Sequence, residues 1–394
     1  LKQILWQMID EQAAAIIWAA RTIGQNPEPG FEEFQASRLL ADQLEQAGFA
    51  VERGVGSLTT AFRAVKGSGR PNIALLCEYD ALPELGHACG HNLIGAASVG
   101  AAAALASVLK TVGGTVTVLG APGEETGGGK TILVSEGALR DIDAALMFHP
   151  SNENVIMSTS NALDALEFTF AGRTAHAAGA PEKGINALDG VIQLFNGINA
   201  LRPMFKDSVR IHGVITDGGK AANIVPDRAA AQFYVRAAQR SYLDTVVARV
   251  VAAARGAAQM TGTEVRWRNY EYSNDNMIPS ASLATVWADN LRSLGIQHWQ
   301  EYRESRGSSD MGNVSQVVPS LHPYLAVKPD ITAHTEEFAQ ACLGHEGFQT
   351  AVLAAKLLAA TVYDLLTEPA CLAKATEELS LALGHDTGRQ AGAE

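Results

Sequence analysis

The chain has 394 residues, 47% of them hydrophobic, and its 42 acidic side chains outnumber 30 basic ones for a formal charge of −12. This length supports two domains, each burying its own core. The acidic balance excludes a polyanion binder, since no basic stripe is available to release counterions from phosphates, and nucleic acid is not expected as a partner.

Taken in chain order, residues 1 to about 48 read as two helices separated by the turn around Pro27, Pro29 and Gly30, the second closing on Gly48. Asp10 and Glu11 interrupt the apolar run ahead of AAAIIWAA and spoil it as the core of a signal peptide. Three short apolar runs follow, NIALLCEYD, GTVTVLGAP and DAALMFHP, each bounded by Gly or Pro and separated by segments long enough for helical crossovers. They predict an α/β fold with a doubly wound, mostly parallel sheet, in which ligands sit beyond the carboxyl ends of the strands. The polar clusters fall at those ends: Glu78 and Asp80 after the first run, Glu124 and Glu125 after the second, His149 at the close of the third. Residues 94–109 are apolar and rich in Ala and Gly but shorter than the ~18 residues of a membrane span, so they read as a buried helix, and no membrane partner is expected.

Between 163 and 272 the order becomes strand (LEFTF), helix (NALDGVIQLFNGI), strand (VRIHGVIT), strand (AAQFYVR), helix (LDTVVARVVAAARGAAQM) and strand (EVRWRNYEY). This is the order of a ferredoxin-like α+β unit, and it predicts a domain inserted into the first one. The chain then divides into 1–162, the inserted 163–272, and 273–394. The last part returns to α/β character, ends in the helix GFQTAVLAAKLLAATVYDLL, and is expected to fray after about Glu378. Cys77, Cys89, Cys342 and Cys371 show no paired spacing, which argues against a disulfide framework and for a reducing compartment, the cytoplasm.

The segment CEYDALPELGHACGHN packs two histidines, two cysteines, three acids and an asparagine between a strand and an apolar helix, a density few structural needs explain. Cys89 and His91 flank a glycine at the helix entrance, and thiolate and imidazole both suit zinc-like ions. APGEETGGGK sets adjacent glutamates in a Gly-rich loop; their repulsion is offset where one ligates a cation and the other serves as general base beside it. Alone, each motif has a plain structural reading: a tight turn, two surface acids, a buried histidine before Pro150. Delivered by three successive strand ends, they point together to a metal centre.

In this order and company, EYDALP, GHACGHN, GEE, AHAA with a downstream NAL, NIVPD and AHTEEF resemble the metallopeptidases and amidohydrolases that include aminoacylases, glutamate carboxypeptidase, hippurate hydrolase and the auxin-conjugate hydrolases. The branch with aminobenzoyl-glutamate hydrolase and the β-alanyl-dipeptide hydrolases is the most similar, over nearly the whole chain. The resemblance implies a zinc-peptidase-like fold with an inserted lid and dimerisation domain, and hydrolysis of the amide bond of a small N-acyl amino acid or dipeptide. It implies two divalent ions per subunit, zinc foremost, with manganese, cobalt or nickel as alternatives, held by Cys89, His91, Glu125, His149 and His334. Glu124 would be the general base. From residues alone, His345 in GHEGF rivals His334.

The resemblance further implies that His176, in GRTAHAAGAP, stabilises the oxyanion in the partner subunit of a homodimer. Asn223 and Arg236 are candidates for the substrate carboxylate, which a planar guanidinium suits, with a structural salt bridge the equal alternative for Arg236. Gly307 and Asp310, in GSSDMGN, match a substrate-side loop, with Asp310 also a candidate for orienting the groups behind the metal ligands. One departure is Asn92, where many relatives carry aspartate; the charged support of the metal site would then pass to Asp80 or Glu78. Two rival readings remain: a hydrolase with Cys89 as nucleophile and His91 or His87 as its base, and a non-catalytic relative that sequesters a ligand.

Overall fold

The computed structural model describes residues 1–388. Contacts divide the chain into two compact units: Leu1–Thr159, Met277–Ser305 and the residues from Ser309 onward form the first, and Ser160–Asn276 with Arg306–Ser308 form the second.

The first unit opens with α1 (Lys2–Glu11), α2 (Ala13–Gln25) and α3 (Phe34–Gln46). Two helices were expected here; the first is broken at Gln12, at φ −93° and ψ 1°, a bend no Gly or Pro announces. Gly48 closes α3 as expected, at φ 82°, a conformation glycine adopts without strain. Next come β1 (Ala50–Val55), β2 (Leu58–Ser68), β3 (Asn72–Cys77), α4 (His91–Val112), β4 (Gly114–Gly120), α5 (Glu124–Gly127), α6 (Gly129–Ser135), β5 (Ala144–Leu146), β6 (His149–Ser151) and β7 (Val155–Ser158).

The second unit contains β8 (Ala162–Ala171), α7 (Ala187–Leu201), β9 (Arg210–Asp217), β10 (Arg228–Ala237), α8 (Arg240–Thr261) and β11 (Glu264–Asn269). The chain then completes the first unit with α9 (Ala281–Ser293), β12 (Gln300–Arg303), α10 (Met311–Ser315), β13 (Ser320–Leu321), β14 (Tyr324–Ala326), α11 (Glu336–Cys342), α12 (His345–Thr367) and α13 (Pro369–Gly388). α13 is helical past Glu378, the point after which fraying was expected, as far as Gly388. Glu378 accepts from Ser280 Oγ (2.8 Å) and Ser282 N (3.2 Å), which ties α13 to the start of α9; residues 389–394 lie outside the described ones.

The main sheet of the first unit runs β1-β2-β4-β3-β5-β13. The β4, β3, β5 and β13 strands are parallel, and the unanticipated β1–β2 hairpin adds an antiparallel edge. Every residue of β3 and β4 is buried, as expected of strands covered on both faces, which is why they read as unbroken apolar runs. α4 is longer than its apolar core predicted; it and α12 have the length and hydropathy of a membrane span, but 83% and 78% of those windows lie inside the first unit. A second small sheet, β12-β7-β14-β6, carries His149 at the start of β6.

The second unit has the sheet order β11-β8-β10-β9, antiparallel throughout, as the ferredoxin-like reading required. Phe168, Phe170, Phe233 and Val235 face the buried side with Leu194 of α7 and Val250 of α8. Arg240, at the start of α8, joins the segments by which the chain enters and leaves: Nη1 to Asp164 (3.0 Å), Nε to Asp275 (2.8 Å) and Nη2 to the carbonyl of Asn274 (2.7 Å). Replacing it with methionine strands two acids, and we expect the second unit to lose about 2–3 kcal/mol. Hydrogen exchange in β8 and α8 should report that loss while the first unit keeps its protection.

Candidate metal centre

Gly90 shapes the entrance to α4. It stands at φ 75°, and a Cβ there would lie 2.8 Å from Pro150 Cγ, so only glycine permits the turn that presents Cys89 and His91. Gly123, at φ 66°, begins α5 in the same way and sets Glu124 and Glu125 in its first turn. His149 comes from β6, and His334 from the residue preceding the Thr335 cap of α11. His334 itself has φ 66°, with its backbone N–H on the carbonyl of Ala88 (2.9 Å); a non-glycine residue held left-handed is a strain that functional sites tolerate.

These segments converge. The ligand atoms of Cys89, His91 and His149 lie within 4.8 Å of one another, as do those of Cys89, Glu125 and His334, and those of His91, Glu124 and Glu125. Cys89 thus belongs to two triads. His345 begins α12 on the surface and joins none of them.

Hydrogen bonds fix both imidazoles. His149 Nδ1 donates to the Pro150 carbonyl (2.7 Å) and His91 Nδ1 to Asp80 Oδ1 (2.8 Å), which turns each Nε2 toward the cluster. Asp80 Oδ2 also accepts from Glu125 N (2.9 Å), so one carboxylate orients two of the candidate ligands. Asn92 is turned away, donating to the carbonyls of Ala20 (3.0 Å) and Cys342 (3.3 Å). The charged support of His91 is therefore Asp80.

The donor set fits divalent cations. His91 Nε2 and Glu125 Oε1 are buried without a hydrogen-bond partner, 3.9 Å apart. Lone pairs facing across a buried space cost free energy unless a cation or proton lies between them. Burial alone would lower the proton affinity of His91, but Asp80 and Glu78 hold it well above its ordinary value. Burial raises the Cys89 thiol, and the carboxylates of Glu125 and Glu124 push it further. A thiolate there requires a positive partner; of the two bases a cysteine nucleophile would use, burial brings His87 down to about 3, and His91 already has its Nδ1 on Asp80.

Behind the cluster stands a network the sequence did not disclose. Lys130 is wholly buried; its Nζ pairs with Glu78 Oε1 (2.5 Å) and with Asp310 Oδ1, and its backbone N–H donates to Asp310 Oδ2 (2.8 Å). Both oxygens of Asp310 are engaged in this network and it is 1% exposed, which is the orienting place expected of it and leaves neither oxygen free for substrate. Burial would raise Glu78, but Lys130 and His91 hold it down at about 2. Glu124 faces the same acids; burial first, then Glu78 and Asp310, keep its carboxyl well above the usual range. His322 was also missed: buried, Nε2 unpartnered, its ring edge-on to His149 at 5.7 Å.

Glu33, in NPEPGFEEF, is another buried acid invisible to spacing arguments. It accepts from Thr60 Oγ1 (2.8 Å) and from Gly123 N (2.8 Å), the residue before Glu124. Burial pushes its carboxyl from 4.5 up to about 7. The folded protein then holds a proton that the unfolded chain releases, so stability should fall as pH rises from about 4.5 to 7, by about 3 kcal/mol in all. Urea midpoints across that range check the slope, and Glu33→Gln should flatten it.

The remaining expected residues lie in the second unit. His176 Nδ1 accepts from Gly179 N (3.0 Å) and Ala178 N (3.3 Å), so its Nε2 carries the hydrogen on an exposed ring. Asn223 is adjacent, its carbonyl accepting from Ala177 N (3.0 Å). Asn186 of the NAL motif caps α7, a structural task. Arg236 is half-buried over the Tyr234 ring, and the Gly307 carbonyl accepts from Asn161 N (2.7 Å).

Residues 161–259 match the family model described as "Peptidase dimerisation domain". The Xaa-Arg dipeptidase of Mus musculus is 36% identical over 402 residues, which cover 97% of this chain and 93% of that protein. The chain belongs to the M20 peptidase family. Another relative, a p-aminobenzoyl-glutamate hydrolase chain of Escherichia coli (strain K12), is 38% identical over 301 residues, 71% of this chain and 62% of that protein. Among solved structures, an aminobenzoyl-glutamate utilization protein from Klebsiella pneumoniae superposes with a TM-score of 0.69 at 19% identity, covering 89% of this chain and 97% of that one. A dinuclear metal-binding M20 peptidase from Bacillus subtilis gives 0.67 at 20%, covering 90% and 99%. As an M20 protein, the chain is a metal-dependent hydrolase of linear amide bonds.

Proposed function

We propose that hydrolysis takes place at the Cys89 cluster, on a small N-acyl amino acid or dipeptide with a free carboxylate. The observation that carries this reading is the membership of Cys89 in two triads, with Glu124 beside the second ligand of one of them. Cys89, His91 and His149 would hold one divalent ion, and Cys89, Glu125 and His334 the other, with the thiolate shared. Two such cations supply polarisation of the scissile carbonyl and a more acidic attacking water. Zinc is our choice of metal on the mixture of thiolate, imidazole and carboxylate.

Glu124 takes the proton of the attacking water and returns it to the leaving amine. Its raised proton affinity suits that exchange. We assign the substrate carboxylate to Asn223, Arg236 and Gly307. The protein works as a homodimer in which His176 Nε2–H of one subunit stabilises the oxyanion in the other. Supporting a dimer, the edge strand β9 exposes Val214 (62%) and Ile215 (46%), apolar side chains a second copy could cover. We place the enzyme in the cytoplasm, where its four free thiols stay reduced.

The test is amine release from N-acyl amino acids, aminobenzoyl-glutamate and dipeptides by metal-loaded, stripped and reconstituted protein. Activity should vanish on stripping and return with about two equivalents per chain; activity indifferent to stripping would overturn the reading. Elemental analysis of the purified protein should find zinc, and manganese, cobalt or nickel in its place would correct the metal.

A further inference from the structure

Arg210 in β9 and Arg236 in β10 are direct cross-strand partners. Like charges placed so destabilise an antiparallel pair. Neither is neutralised: Arg210 Nη1 donates to the carbonyls of Asp207 and of Val209 (2.8 Å), and Arg236 Nε is buried with no hydrogen-bond partner. Beside Arg210 the second unit opens a cavity of about 530 Å³, lined by Arg202, Lys206, Arg210 and Arg306 together with Phe205 and Asp207.

Among the described residues, no carboxylate pairs with any of these four cations. Arg202 Nε donates to Asn199 Oδ1 (3.1 Å), and Lys206 Nζ lies 4.4 Å over the Tyr242 ring. Arg306 comes from a distant part of the chain, held by its own carbonyl on Asn161 Nδ2 (3.3 Å), with its guanidinium unengaged. Arg228, Arg240 and Arg268 of the same unit are each ion-paired with an acid, and Arg249 and Arg255 lie over the Phe205 and Trp267 rings; the four differ in lining one cavity together. The local field acts on His212, two residues along β9: burial, then Arg236, Arg202 and Arg210, lower its proton affinity.

We propose that this cavity binds a small dianion, a dicarboxylate or a phosphate ester. Its volume is that of a small-molecule site. Guanidinium groups match carboxylate and phosphate oxygens bidentately, and an anion against Arg210 relieves its opposition to Arg236. None of the residues lining this cavity is among those assigned above to the metal ions or to catalysis, and the inference does not depend on the hydrolytic reading.

Titration calorimetry on the full-length, metal-loaded protein at low ionic strength tests it, with glutarate and glycerol phosphate as probes. Saturable binding should weaken with added salt, and Kd should rise at least ~10-fold in the double variant Arg210→Gln/Arg306→Gln. Both positions are at the surface or half-buried, and an unchanged unfolding midpoint will show that the variant folds. Binding of glutarate alone, of glycerol phosphate alone, or of both supports the site and identifies what it reads: dicarboxylates, phosphate esters, or charge. Absence of saturable binding overturns it. So does an affinity unchanged in the double variant, since the anion then sits elsewhere, as on the metal centre.

Discussion

Glutamine in place of Glu124 should leave a folded protein of unchanged metal content whose kcat is lower by ~10²–10⁴-fold, the usual contribution of a positioned general base. The substitution preserves volume and one hydrogen-bonding oxygen but removes the capacity to accept a proton. Glu124 lies among His91 and Glu125 on one side and Glu78 and Asp310 on the other, so its role is separable from that of its neighbour by elemental analysis. A Glu125→Gln protein should lose metal and activity together; Glu124→Gln should lose activity alone. Full turnover by Glu124→Gln would refute it as the base, and parallel loss of metal would make it a ligand.

The largest effect on stability is expected at Lys130. Its ammonium is the counter-ion of two fully buried acids, Glu78 and Asp310. Removing one member of a buried ion pair leaves charge stranded in a medium that solvates it poorly, so Lys130→Met should cost about 3–5 kcal/mol in urea unfolding. Adding Asp310→Asn to that variant removes one stranded charge and should recover part of the loss. A single variant within ~0.5 kcal/mol of the parent would mean that the acids protonate or find water instead.

The contrast between Lys130 and the cluster shows what a one-dimensional reading reaches. Cys89, His91, Glu124, Glu125 and His149 announce themselves because each ends or follows a strand, and strand ends of a parallel sheet share one edge. The inserted unit was equally legible, since its core residues alternate along β8 and β10 and recur at helical spacing along α7 and α8. Lys130 sits in GGGKT, where it looks like a solvated loop lysine; only Asp310, 180 positions away, decides that it is buried. Glu33 and His322 are of the same kind. The β1–β2 hairpin escaped because its edge strand is largely exposed and lacks the alternation of a half-buried strand. Glu378 meets Ser280 and Ser282, a tie between α13 and the start of α9 that no helix propensity foretells.

The insertion also sets a schedule for biosynthesis. His149 precedes the second unit in the chain and His334 follows it, so a ribosome working from the N-terminus exposes four of the five metal-competent side chains first. At ordinary translation speed the fifth arrives roughly ten to forty seconds later. During that interval β13 and β14, which pair with β5 and β6, are also missing, and the second unit has all of its strands and can fold first. On the assignment proposed above, the Cys89, His91 and His149 set is complete before the second unit is made, whereas the Cys89, Glu125 and His334 set waits for the chain beyond it, so the two cations would be captured in that order.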